Sequence, residues 1–141
     1  MDTTDILSLV SLVRQKANMR ITTALAQQQV KGLAPSHGDI LYALFNSGPL
    51  TMAEIAAKIH RDKSTVTVLV GKLLQLGYVE KRRGGTDARV YVVSLTARGQ
   101  ALKPVFDAIS AELLQTLYQD IPLQDQQTLL AVLLKIEENL S

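Results

Sequence analysis

The chain has 141 residues, 47% of them hydrophobic, which suits one domain with its own core, and its formal charge is +2. It lacks cysteine, which excludes disulfides, thiolate metal sites, a cysteine nucleophile and thiol-based redox sensing. No apolar run approaches the roughly 20 residues of a membrane span, and the start MDTTDILSLV lacks the basic opening of a secretory signal, so a cytoplasmic chain with no membrane partner is expected.

From Asp5 to about Val30, Ile6, Leu9, Val10, Val13, Ala17, Ile21, Ala24 and Leu25 recur every three to four residues, the spacing of one helix face. Gly32 suits a C-terminal cap and Ala34-Pro35 interrupts the pattern. Ser36 then reads as the N-cap of a second helix, about His37 to Asn46, with Ile40, Leu41 and Leu44 as its buried stripe. After Ser47-Gly48-Pro49, Thr51 and Glu54 make the S/T-x-x-E capping box of a short third helix that ends near Ile59 or His60. Arg61-Asp62 leads at once into a fourth run, Lys63 to Leu76, and two helices joined so tightly suggest a helix-turn-helix. This fourth run is rich in β-branched residues, yet Val66, Leu69, Val70 and Leu73 keep helical spacing, Asp62 can cap the start and Gly77 can close the end. Past Gly77 the period changes to two. Tyr78 to Arg83 and Arg89 to Leu95 read as a β-hairpin around Gly84-Gly85. Thr96 resembles an N-cap for a helix running towards Tyr118, irregular at Pro104, and Leu123 to Leu140 forms a strongly apolar last helix. The fold expected is mainly α with a small β-hairpin wing.

Charge divides unevenly along this plan. Lys58 to Arg89 holds eight basic residues against three acidic, +5, while the remainder holds seven against ten, −3. A contiguous basic third is where a polyanionic partner would dock and release counterions. A helix-turn-helix followed directly by a hairpin is the winged-helix order, whose second helix enters a major groove and needs short polar or basic side chains on its leading turns. Lys63, Ser64, Thr65 and Thr67 meet that need, and Arg82, Arg83 and Arg89 flank the hairpin glycines where cations could reach neighbouring phosphates. The bland alternative makes the hydroxyls plain helix surface and the arginines edge-strand protection.

The run Asp87-Ala88-Arg89-Val90-Tyr91-Val92-Val93-Ser94-Leu95-Thr96-Ala97-Arg98-Gly99 matches the D-x-R-x5-L-T-x-x-G wing signature, and by it the sequence resembles the MarR family. The likeness extends through Leu33-Ala34-Pro35-Ser36, Leu50 to Ala56, Lys63 to Thr67 and Leu73 to Val79, and so over essentially the whole chain. It implies a winged helix-turn-helix lobe over 33–99, with 1–32 and 100–141 as dimerisation helices of a single domain. It also implies a homodimer on pseudo-palindromic double-stranded DNA, a repressor in function, Arg89 directed at DNA, Asp87 orienting the wing arginines, and a small aromatic or apolar effector. Two positions depart from the family: Val68 stands where many relatives have arginine, and Gly71 where an acidic residue is common. Val68 could meet a thymine methyl or simply pack.

No catalytic or cofactor site is expected. His37 and His60 lie on different elements without ligand-spaced partners, Ser64 has no triad around it, and no G-x-S-x-G, phosphate-binding or dinucleotide-binding motif occurs. The alternative function is a winged-helix protein-interaction module that does not bind DNA.

Overall fold

A computed structural model describes residues 1–84 and 89–141. A 3-10 turn, Thr3–Asp5, leads into α1, Ile6–Gln27. Only the end of α1 joins a core: Leu25 is buried and Ile21 packs beside it, whereas Leu7, Val10 and Val13 are exposed. The second helix, α2 (Pro35–Ser47), starts earlier than the sequence suggested. Its N-cap is Ala34 rather than Ser36, because the His37 imidazole takes the capping role: the Ala34 N–H donates to His37 Nδ1 at 2.8 Å. Pro35 fits the first helical position, where its missing N–H leaves nothing unpaired.

Strand β1 is Leu50–Thr51, followed by α3, Met52–Ile59, and α4, Lys63–Gln75. The Thr51–Glu54 capping box is present, with the Glu54 N–H on Thr51 Oγ1 at 3.1 Å and the Thr51 N–H on Glu54 Oε1 at 3.0 Å. Asp62 caps α4 by accepting from the Thr65 N–H at 2.7 Å, and Gly77, at φ 81°, follows its end. Five β-branched residues in α4 cost roughly 2–3 kcal/mol of helix propensity. Burying Val66, Val70 and Leu73 completely returns roughly 5–8 kcal/mol, so packing decides the conformation.

Strands β2 (Val79–Arg83) and β3 (Tyr91–Leu95) form the hairpin, antiparallel with Val79 opposite Leu95 and Arg83 opposite Tyr91. Sequence pattern missed β1, which pairs with the free edge of β3 through Leu50 opposite Val93 and Thr51 opposite Val92. Thr96 caps α5, Ala97–Gln100, and α6 runs Lys103–Leu117. The expected single helix from Thr96 is therefore two. Pro104 has no N–H for the Gln100 carbonyl, so the ladder cannot pass through Ala101–Leu102.

Residues 1–109 form one compact unit. Its core gathers Ile40, Leu41 and Leu44 of α2, Ile55 of α3, Val66, Val70 and Leu73 of α4, Val79 and Val93 of the sheet, and Phe106 of α6. Tyr42, Phe45 and Phe106 meet edge-on or tilted, and the Tyr42 hydroxyl donates to the Phe106 carbonyl at 2.6 Å. The second unit, residues 110–141, contains the end of α6 and α7, Leu123–Leu140. Leu129, Leu130, Leu133 and Leu134 of α7 are exposed. No described helix is long and apolar enough to cross a membrane.

Candidate nucleic-acid interface

Helix α4 turns Val66, Val70 and Leu73 into the core, so the opposite arc, Ser64, Thr67, Val68, Gly71 and Gln75, faces solvent. Lys63 stands exposed at the helix start, whereas Thr65 is half-buried. The hydroxyls are already engaged locally. Ser64 Oγ donates to Asp62 Oδ1 at 2.7 Å and Thr67 Oγ1 donates to the Lys63 carbonyl at 2.8 Å. The hydrogen bond from the Thr65 backbone N–H, with that from Ser64, holds the Asp62 carboxyl down to about 2, so the cap is ionised at neutral pH. Val68 does not pack: it is 73% exposed. A methyl added at Gly71 would have no neighbour within 4 Å.

The hairpin has two different faces because side chains alternate across it. On one, buried Val79 and Val93 at the base give way to Lys81, Arg83 and Tyr91 towards the tip. Lys81 Nζ lies 4.5 Å and Arg83 Cζ 5.9 Å from the Tyr91 ring centre. On the other face Arg82 is paired with Glu80 at 2.8 Å, and Glu80 also accepts from Ser94 Oγ at 3.4 Å. Arg82 and Arg83 are thus adjacent in sequence but unlike in surroundings. Arg89 is exposed just before β3, and Asp87, expected to orient the wing arginines, lies outside the described residues.

One basic residue escaped sequence reasoning. Arg61, in the turn between α3 and α4, donates to Ser36 Oγ at 3.4 Å, joining the start of α2 to the helix-turn-helix. Only its place in that tight turn could have pointed to it. On the same unit, a groove of about 450 Å³ is lined by Asp39, Tyr42 and Asn46 of α2 with Lys58, Ile59 and His60. Burial raises the Asp39 carboxyl above its usual value, opposed by the Arg14 and Arg61 charges. Among the described residues no group of His and carboxylates could hold a metal ion.

Hydrogen bonds tie the residues that follow α4 to those that follow β3. Tyr78, buried after Gly77, offers its carbonyl to the Thr96 N–H at 3.1 Å, while Thr96 Oγ1 donates to the Gly77 carbonyl at 2.6 Å and accepts the Gly99 N–H at 3.1 Å. Gly99 packs so closely that a Cβ there would lie 2.0 Å from the Tyr78 oxygen. The Leu95-Thr96-x-x-Gly99 part of the wing signature therefore has a physical basis.

Comparison with known proteins places this arrangement. The MarR family profile matches residues 31–90, which begin after α1 and stop just before β3. The HTH-type transcriptional regulator YcgE of Bacillus subtilis is 31% identical over 72% of this chain. The alignment spans 66% of that relative, so the chain covers just under two thirds of its length. A MarR protein from Peptoclostridium difficile superimposes with a TM-score of 0.88 at 18% identity, over 99% of this chain and 90% of that one. Reduced AbfR, solved bound to DNA, superimposes at 0.78 with 21% identity, covering 98% and 94%. Over residues 31–90 the sequence matches the MarR family profile, its curated relatives are HTH-type transcriptional regulators, and its fold is that of solved MarR proteins.

Proposed function

We propose that the chain is a sequence-specific regulator of transcription that binds double-stranded DNA as a homodimer, represses at a pseudo-palindromic operator and is released by a small aromatic or apolar effector. One observation carries this reading: the outward arc of α4, opening with Lys63, Ser64 and Thr67, is exposed in the same unit as a hairpin whose Arg83 and Arg89 are also exposed. A helix of that exposure can enter a major groove while the ribbon holds adjacent phosphates. Thr65, half-buried, contributes through its backbone at the helix start, and Arg82 reaches phosphate only by leaving Glu80. Asp87 orients the wing arginines in this reading. The DNA-bound state of a neighbour with the same fold supports the same use here.

Dimerisation is supported by the apolar side chains that a single chain leaves in water on α1 and α7, since exposed patches of this kind mark interaction surfaces. Two copies of α4 would then address half-sites about one helical turn apart. For the effector, the groove beside Lys58 offers a cation for a carboxylate and the Tyr42 ring for an apolar body. A ligand there would act by binding one arrangement of α2 and α3 better than another.

Duplex affinity measured across salt concentrations tests the reading. It should fall steeply, and Lys63→Ala, Arg83→Ala and Arg89→Ala should each reduce the logarithmic slope by about one. A flat response would instead favour the protein-interaction module. Benzoate titration should weaken the complex in the parent and not in Lys58→Ala.

A further inference from the structure

Beyond Lys63 at its start, the reading arc of α4 contains no arginine, asparagine or carboxylate: it is Ser64, Thr67, Val68, Gly71 and Gln75. Gln75 lies seven residues beyond Val68, roughly 10 Å further along the axis, away from the leading turns that meet base edges. The central turns therefore lack the forked donors that recognise guanine and the acceptor carboxylates that recognise cytosine. What they present is a valine side chain 73% in solvent, hydroxyls whose protons are committed to Asp62 and to the Lys63 carbonyl, and a glycine that adds no bulk. Such hydroxyls offer lone pairs, and threonine adds a methyl.

In the major groove one base pair answers both features. An A·T pair shows the adenine N6 amino group as a donor beside the thymine C5-methyl, whereas a G·C pair has an amino donor on cytosine but no methyl. Building on the DNA-binding reading above, we infer that α4 specifies A·T pairs in each half-site. Val68 seats against a thymine methyl, and the Ser64 and Thr67 oxygens accept from adenine amino groups. Gly71 lets the helix settle close enough for a side chain as short as valine to reach.

The test uses the 141-residue chain and duplexes selected from a random pool. In each selected half-site, thymines are replaced one at a time by uracil, which removes only the methyl. At one position the exchange should weaken binding roughly fourfold, and roughly sixteenfold when made in both half-sites, as expected for one buried carbon each. Val68→Ala, a surface change, should abolish that sensitivity, and Val68→Arg should shift the selected base towards guanine. Uracil duplexes that bind as tightly as thymine duplexes would overturn the inference while leaving DNA binding intact, as would full uracil sensitivity retained in Val68→Ala. Failure of the pool to enrich any duplex would overturn the DNA-binding reading and this one with it.

Discussion

Replacing Gly99 by alanine sets a methyl carbon 2.0 Å from the Tyr78 carbonyl oxygen, where ordinary contact begins at 3.4 Å. Relief requires about 1.4 Å of separation between α5 and the residues that precede β2. That shift is large enough to break two bonds spanning the gap, the Thr96 N–H on Tyr78 at 3.1 Å and Thr96 Oγ1 on Gly77 at 2.6 Å. Each contributes about 1 kcal/mol net, and residual overpacking adds about 1 more, so the expected loss is about 3 kcal/mol. For a domain of this size that lowers the melting temperature by roughly 10 °C. Thermal and urea unfolding at fixed protein concentration would read it, because self-association would otherwise move the midpoint. Gly71→Ala supplies the opposite case: the same methyl, placed in open space on a helix, should stabilise by about 0.5–1 kcal/mol. A Gly99→Ala variant within about 0.5 kcal/mol of the parent would refute the assignment of that glycine to close backbone packing.

Three further outcomes are expected. The Asp62 side-chain carboxyl, followed by NMR, should titrate with a midpoint near 2 rather than 3.8; because its folded value is depressed, the α4 cap persists above pH 4 and fails as the pH falls through about 2. Burial, aided by the Lys72 charge, lowers the His37 pKa below 6.5, so the neutral imidazole that caps α2 is retained above that value and acidification should raise amide exchange at Ala34; protection there that is indifferent to pH would reject the imidazole cap. Leu130→Asp in α7 should yield a single-chain mass by sedimentation if that face is the dimer seam, and an undisturbed two-chain mass would exclude it.

What could be read in advance was local. Thr51 with Glu54, Asp62, Gly77 and Thr96 each mark a helix end through atoms within three residues, so side-chain chemistry and order along the chain suffice. Strand β1 escaped because two residues carry no period, and Leu50 and Thr51 become a strand only through partners more than forty positions away. The start of α2 was misplaced because serine is the usual cap, while here a histidine three residues on supplies the acceptor. At the candidate interface, sequence pointed to the hydroxyl-rich helix and the arginines but not to their partners. The Ser64 and Thr67 protons, the Glu80 carboxylate on Arg82 and the Tyr91 ring beneath Lys81 depend on rotamers and strand faces. Val68 was open between packing and exposure until the opposite face of α4 was seen to be filled.

Thr51 is at once a rung of the sheet beside Val92 and the first anchor of α3. On the DNA-binding reading proposed above, the hairpin and the helix pair are therefore joined through one residue, so that a tilt of the ribbon would be passed to the helices. A regulator geared this way would lose sequence discrimination and salt sensitivity in step, rather than sliding first into loose, indiscriminate attachment.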